Sequence, residues 1–204
     1  MMNMATELIA PNNPVKDLKV EVLEQKNLTK LTQSVKDDEL RFWEREYITE
    51  HIDTMPGGMN KILCQFLWMT GCRITEGLSV QKKDLDFKNY TCRIRWLKNR
   101  KHNARIIPLH PRLKDILEVY TSGMTQEERL FPITRQQAHN ITTKYFDGNP
   151  HMFRHSFAVN WVRNNGRIEL LCRMLGHSDI KYTMIYLRFA PQDIGKELLK
   201  VEFT

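Results

Sequence analysis

The sequence predicts an α+β fold that is mainly α-helical and contains one small antiparallel β-sheet. Most of the chain carries apolar residues at helical spacing, as in residues 59–70, where Gly71 then favours a helix end. Residues 85–108 differ, because residues 90–96 alternate in polarity and residues 105–108 form a second β-rich run after a polar turn. These two neighbouring runs predict a hairpin sheet, and the helical stretches on both sides predict the rest of the domain.

The N-terminal elements follow from chain breaks and apolar spacing. Residues 1–35 are polar and mixed in charge, with prolines that interrupt regular structure, and they predict a segment that is either flexible or a linker. A helix cap within residues 34–37 precedes a helically spaced apolar set, so we expect the folded domain to begin at residue 36. That apolar set is Leu40, Trp43, Tyr47 and Ile48.

After the sheet, the sequence returns to helices. Pro111 favours a helix start, residues 147–150 predict a loop, and another helix is expected from about His151. Two later glycines predict breaks between the last helices. The main domain therefore covers residues 36–190, and residues 191–204 are expected to form a C-terminal helical tail.

Composition and charge narrow the classes of function. The chain has 204 residues, enough for one or at most two domains, and its net charge of +7 with a pI near 9.3 favours an anionic partner. Its four cysteines form no C-x-x-C pair and are typical of reduced interior thiols, which predicts a cytoplasmic setting. We expect neither a membrane span nor a secretory leader, because the sequence has no long apolar run and no signal-peptide layout.

The most informative cluster lies near the C-terminus. Residues 151–155 read His-Met-Phe-Arg-His, and they are followed by Leu-Gly-His at 175–177 and by Tyr186. The planar guanidinium of Arg154 suits two non-bridging phosphate oxygens, histidines can donate or carry protons, and a tyrosine can attack phosphorus. This set of phosphate-binding and nucleophilic groups points to DNA strand transfer.

A second motif lies upstream, where residues 70–76 read Thr-Gly-Cys-Arg-Ile-Thr-Glu. Together the two motifs resemble the tyrosine recombinase (phage integrase) family, whose signature is Arg, Lys, His-x-x-Arg, His and Tyr in that order. The resemblance extends over roughly residues 37–190, and Tyr186 follows His177 by nine positions, as in the family's most recognisable segment. The six matching positions are Arg73, Lys98, His151, Arg154, His177 and Tyr186.

The resemblance implies a site-specific DNA recombinase with the fold of the family's catalytic domain. It would act in integration, excision, inversion or resolution, through a 3′-phosphotyrosyl intermediate and without a metal ion or other cofactor. The implied partners are double-stranded DNA and further copies of the chain, in a homotetramer on paired DNA sites.

The same resemblance assigns roles to individual residues. Tyr186 would be the nucleophile, and His151 and His177 would hydrogen-bond the phosphate or assist proton transfer. The two cations expected to neutralise the phosphate are Arg73, which Glu76 would hold in place, and Arg154.

The hairpin turn carries the general acid that the resemblance implies, a lysine that protonates the leaving 5′ oxygen. Lys98 is the first choice, and Lys101 remains open because the turn is slightly longer than the family's usual one. Arg100, Lys101 and Arg105 are expected to bind the DNA backbone.

Two assignments near the C-terminus have competitors. Tyr182 lies one helical turn before Tyr186 and is the alternative nucleophile. His155 is expected to make a structural hydrogen bond, and a metal site built from His151 and His155 is disfavoured because no third ligand is evident.

One departure from the family concerns chain length. Family members usually carry a helical DNA-clamping domain ahead of the catalytic domain, whereas only about 35 residues precede it here. This fits a compact recombinase, an enzyme helped by an accessory DNA-binding protein, or a catalytic-domain fragment. Two rival functions remain, a type IB topoisomerase that rejoins the original strand and a non-catalytic DNA-binding regulator with the same fold.

Overall fold

A computed structural model of the protein describes residues 40–95 and 104–191. Within these ranges the helices are α1 Arg45–Thr54, α2 Met59–Thr70, α3 Ile74–Gly77, α4 Pro111–Tyr120, α5 Arg135–Phe146, α6 His151–Arg163, α7 Ile168–Leu175 and α8 Lys181–Met184, and 3-10 turns lie at Lys82–Asp84 and Leu187–Phe189. The strands are β1 Leu85–Asp86, β2 Thr91–Arg95 and β3 Ala104–Pro108. The predicted α+β class, mainly helical with a small antiparallel sheet, is confirmed. None of the helices described has the length and apolar character needed to cross a membrane.

The sheet is antiparallel, with β2 between β1 and β3. Cys92 and Ile94 of β2 are buried, and Cys92 pairs with the buried Ile107 of β3, so one face of the sheet covers the core. The connecting residues 96–103 lie outside the described part of the chain, and with them the predicted hairpin cations Lys98, Arg100 and Lys101.

Helix α2 crosses the core and ends where the Arg73 motif begins. Leu63, Phe66 and Leu67 on this helix are fully buried. Gly71 then turns the chain with a φ of +60°, the left-handed conformation that favours glycine. A Cβ at this position would collide with the Phe157 ring of α6, so the turn lies tightly against that helix.

Helix α6 is surrounded by the rest of the described domain. Its buried residues fall on most of its circumference and are Met152, Phe153, Arg154, Ser156, Ala158, Val159 and Val162. A helix enclosed in this way has little freedom to move, so the side chains that it carries are held in fixed positions.

The N-terminal edge of the domain differs from the prediction. The helix cap expected within residues 34–37 lies outside the described residues, and residues 40–44 precede α1 without being helical. Trp43 supplies the physical reason, because its backbone N–H donates to Ser156 Oγ at 2.7 Å and its ring packs edge-on against Phe153. Of the predicted apolar set, Leu40 and Trp43 therefore lie before the helix, whereas Tyr47 and Ile48 lie on α1, where Ile48 is buried as predicted.

The remaining predicted segments fall largely outside the structure. Residues 1–35 lie outside the described residues, and so does the predicted tail at 191–204 apart from Pro191.

All four cysteines are free thiols. Burial raises the pKa of Cys64 to about 12 and that of Cys72 to about 11, and it also raises the pKa of Cys92. Cys172 is half-buried, and its Sγ lies 3.6 Å from the His177 carbonyl oxygen.

Candidate active site

Arg73 lies at the N-terminal end of α3, just after the tight turn at Gly71. Its backbone N–H donates to Glu76 Oε2 at 3.0 Å, and its Nη1 donates to Glu76 Oε1 at 3.1 Å. The Arg73 side chain is 41% exposed, whereas the Glu76 side chain is 5% exposed. The carboxylate therefore fixes both the backbone and the guanidinium of an arginine that stays open to a ligand.

Arg105 contacts other groups of the protein, whereas the sequence predicted that it contacts DNA. Its Nη2 donates to Glu76 Oε2 at 2.8 Å, and its Nε donates to the Met174 carbonyl at 2.9 Å. Burial alone would raise the pKa of Glu76, but the bonds from Arg105 and Arg73 lower it below its usual value. Because the Arg105 side chain is only 9% exposed, its DNA-binding role is not supported, and it serves as a counter-ion inside the protein.

Arg154 is buried in the middle of the domain, with 2% of its surface exposed. Its Nη1 donates to the Gly71 carbonyl and its Nη2 to the Leu175 carbonyl, both at 2.9 Å. Burial, followed by the nearby Arg73, lowers its pKa to about 10, so the guanidinium is still charged at neutral pH. A buried cation held by neutral carbonyls is costly unless an anion approaches it. The Arg154 guanidinium is therefore preorganised to bind an anionic ligand.

His177 follows Gly176, whose φ of +65° ends α7. Its Nδ1 lies 2.9 Å from Oγ1 of the buried Thr183, which orients the ring. Burial, followed by the charges of Arg154 and Arg73, lowers the pKa of His177 to about 4, so the imidazole is neutral at physiological pH. Because Nδ1 is hydrogen-bonded to the Thr183 hydroxyl, a ligand would be bound through Nε2.

His151 begins α6 and lies at the exposed rim of the site. Its backbone N–H donates to Asn149 Oδ1 at 2.9 Å. Its ring stands perpendicular to that of His155, with the ring centroids 4.5 Å apart. Burial, followed by Arg154 and Arg73, lowers its pKa and favours the neutral imidazole.

The two candidate nucleophiles have opposite environments. Tyr186 is 2% exposed, and its hydroxyl lies 2.8 Å from His155 Nδ1, whereas Tyr182 is 64% exposed. Burial raises the pKa of Tyr186 to about 12, although Arg154 and Arg73 draw it downward. Arg154 and Arg73 therefore stabilise negative charge on the Tyr186 oxygen, which favours Tyr186 over the exposed Tyr182 as the nucleophile.

An open groove of about 760 Å³ begins at this cluster and extends to the N-terminal end of α5. Its lining residues are Arg73, Ile74, Thr75, Arg135, Gln136, His139, Asn149, Pro150 and His151. Sequence reasoning missed the α5 contribution, although a reciprocal cap between Thr134 and Gln137, with bonds of 3.1 and 2.8 Å, marks where this helix begins. The groove adds the Arg135 guanidinium and the His139 imidazole to one side of the site.

The structure thus collects five of the six predicted catalytic residues, from the turn before α3, from α6, and from the segments after α7 and α8. They are Arg73, His151, Arg154, His177 and Tyr186. Lys98 lies outside the described residues. Across residues 40–95 and 104–191, no three His, Cys, Asp or Glu side chains are grouped to hold a metal ion.

The fold is that of an integrase catalytic domain. The catalytic domain of bacteriophage HP1 integrase superposes with a TM-score of 0.65 at 24% identity, covering 79% of this chain and 95% of that domain. The Tn1549 transposon integrase, solved with transposon right-end DNA, superposes with a TM-score of 0.65 at 18% identity over 83% of this chain and 69% of that one. The phage integrase family model matches residues 22–193, and the chain belongs to this family.

A curated relative agrees with this membership. The tyrosine recombinase XerA of Saccharolobus solfataricus is 32% identical over 146 residues, which cover 69% of this chain and 50% of the relative. The chain spans about half the length of the curated relatives it matches.

Proposed function

We propose that the protein is a site-specific DNA recombinase that cleaves and rejoins DNA through a 3′-phosphotyrosyl intermediate. The observation that carries this proposal is the pair of bonds from Arg154 to the Gly71 and Leu175 carbonyls. Arg73 lies two residues after Gly71, and His177 lies two residues after Leu175, so one buried cation ties together three phosphate-binding positions. Cations and neutral imidazoles fixed in this way stabilise a phosphate as negative charge builds up on it.

In the cleavage step, the Tyr186 oxygen attacks the scissile phosphorus in line with the leaving 5′ oxygen. The Tyr186 O–H bond and the P–O5′ bond break while the bond from the tyrosyl oxygen to phosphorus forms. Arg73 and Arg154 neutralise the non-bridging oxygens, and the His151 and His177 rings donate hydrogen bonds to them. A 5′ hydroxyl from a partner strand then reverses these steps, so the energy of the phosphodiester bond is retained.

The leaving 5′ oxygen takes its proton from a lysine of the β2–β3 connection in this proposal. Lys98 has that role, with Lys101 as the alternative, and Arg100 with Lys101 binds the DNA backbone. The assignment is supported by the described start of β3, where Arg105 contacts Glu76 beside Arg73.

The proposed partner is double-stranded DNA, and the proposed working unit is a homotetramer on paired sites. The net charge of +7 and the DNA-bound Tn1549 integrase support the DNA partner. In this proposal, residues 36–190 form the catalytic unit, residues 1–35 are a flexible or linker segment before it, and residues 191–204 are a C-terminal helical tail. An accessory DNA-binding protein is a further proposed partner.

The test is a covalent-adduct assay on nicked suicide duplexes made from the DNA that flanks the gene. Wild-type protein and Tyr182→Phe are expected to form an adduct that survives denaturing electrophoresis, whereas Tyr186→Phe forms none because the attacking oxygen is missing. Loss of the adduct in Tyr182→Phe alone would identify Tyr182 as the nucleophile. DNA binding without any wild-type adduct would favour a non-catalytic regulator, and relaxation of supercoiled DNA without strand exchange would favour a topoisomerase.

A further inference from the structure

His155 makes a contact that the mechanism above does not use. Its Nδ1 lies 2.8 Å from the Tyr186 hydroxyl, and the two residues are 31 positions apart in the chain. The sequence predicted a structural hydrogen bond for His155. The structure instead directs this bond to the oxygen that attacks phosphorus.

The Tyr186 hydroxyl needs a group that accepts its proton. With a pKa of about 12, roughly one molecule in 10⁵ would carry a phenolate at pH 7. A neutral phenol that attacks phosphorus must lose its proton as the new bond forms, and the 2% exposure of Tyr186 limits the access of water. A base that is already bonded to the hydroxyl meets this need.

The surroundings of His155 keep its ring neutral, so a nitrogen lone pair is free. Burial, followed by His151, Arg154 and His177, lowers the pKa of His155 to about 3. Of these groups, Arg154 is also a cation that a bound phosphate would neutralise. DNA binding would therefore remove part of the repulsion that opposes a proton on His155, so the ring becomes more basic when a substrate is present.

We propose that His155 is a further catalytic residue, the general base that takes the Tyr186 proton during attack on the scissile phosphate. This inference rests on the proposed recombinase function. The Tyr186 O–H bond breaks as an N–H bond forms at His155 Nδ1, and the electron pair left on oxygen forms the bond to phosphorus. The P–O5′ bond breaks, and the 5′ oxygen takes a proton from the hairpin lysine. During rejoining, the lysine takes the proton back and His155 returns its own to Tyr186.

The experiment measures single-turnover adduct formation by wild type, His155→Asn and His155→Ala on the nicked duplex. The Asn oxygen lies close to the position of Nδ1, so His155→Asn keeps a hydrogen-bond acceptor but removes the base. Adduct formation is expected to slow by about 100-fold or more in both variants, with DNA affinity unchanged. His110→Asn makes the same change at the cap of α4, where Asn also accepts the Arg112 N–H, and it is expected to react at the wild-type rate.

A duplex with sulfur in place of the leaving 5′ oxygen sharpens the test. A thiolate leaves without being protonated, so this substrate bypasses the general acid but not the general base. The His155→Asn defect is expected to persist on it. Recovery of the rate would place His155 on the acid side of the reaction and overturn the proposal.

Three other results would also overturn it. These are a wild-type rate in His155→Asn, a faster rate in His155→Ala, which would mean that the bond restrains Tyr186, and a loss of DNA binding that parallels the loss of cleavage. If wild-type protein forms no adduct on any duplex, the recombinase proposal fails first. If wild type reacts and His155→Asn keeps pace with it, only this inference fails.

Discussion

The two sides of the candidate active site are held together in different ways. On the side of α3 and β3, the Glu76 carboxylate accepts from both Arg73 and Arg105, so opposite charges are balanced within the protein. On the side of α6, Arg154 is held by two neutral carbonyls and its charge has no such carboxylate in contact among the described residues. If the site binds phosphate as proposed, the phosphate is stabilised most on the α6 side, because there it neutralises a buried cation.

The substitution Arg154→Lys tests this difference between the two sides most directly. An ammonium keeps the charge but lacks the planar fork that reaches the Gly71 and Leu175 carbonyls together. We expect adduct formation to fall by about 100- to 1000-fold and the free energy of unfolding to fall by about 2 kcal/mol, as measured by single-turnover cleavage and urea denaturation. Arg112→Lys on the exposed start of α4 is the control, and wild-type cleavage by Arg154→Lys would contradict the expectation.

A second comparison tests the carboxylate side, where Arg105 and Arg73 share Glu76 but differ in exposure. Arg105→Met should lower the free energy of unfolding by about 3 kcal/mol, because it removes a buried partner of a buried carboxylate. Arg73→Met should lower it by less than about 1 kcal/mol, because an exposed ion pair contributes little. Chemical denaturation of both variants provides the measurement, and equal losses would show that burial does not distinguish the two arginines.

The dependence of the free energy of unfolding on pH distinguishes the histidines of the α6 side from the Glu76 carboxylate without any substitution. The folded pKa of His155, about 3, lies below the ordinary value of about 6.5, so the unfolded chain binds more protons between these values. The stability from this group is complete above pH 6.5 and is lost as the pH falls. We expect a loss of about 1.4 kcal/mol per pH unit from His155 between pH 6 and 4, with a smaller addition from His177, which is more open to solvent.

Thermal or urea unfolding at pH 7, 6 and 5 measures this slope, and His155→Asn should reduce it. The pKa of Glu76 is also lowered, so its contribution is lost only as the pH falls below the ordinary carboxyl range. A slope between pH 7 and 5 that His155→Asn leaves unchanged would mean that other groups control acid stability.

Much of this arrangement follows from local sequence signals. Gly71 ends α2 as its position predicts, His151 begins α6, and the alternation around Cys92 gives the buried face of β2. These features depend on nearest neighbours in the chain, so apolar periodicity and glycine placement are sufficient to find them.

The contacts that the sequence did not predict join residues that are far apart in the chain. The bond between His155 and Tyr186 depends on how α6 meets the segment after α8, which no local pattern reports. The inward setting of Arg105 had a usable signal, since strand alternation puts it on the same face as the buried Ile107. A charged residue on that face needs an internal partner, and Glu76 is that partner.

Because the four thiols differ in exposure, the Cys172 thiol can report chemically on the candidate active site. Cys64, Cys72 and Cys92 are buried, whereas Cys172 is half-buried and lies beside the His177 carbonyl. Mild alkylation should therefore label Cys172 first, and its rate should follow any opening or closing of the His177 segment. Footprinting with a thiol reagent would then test the proposed binding of DNA beside His177, even in variants such as Tyr186→Phe that are expected to form no adduct.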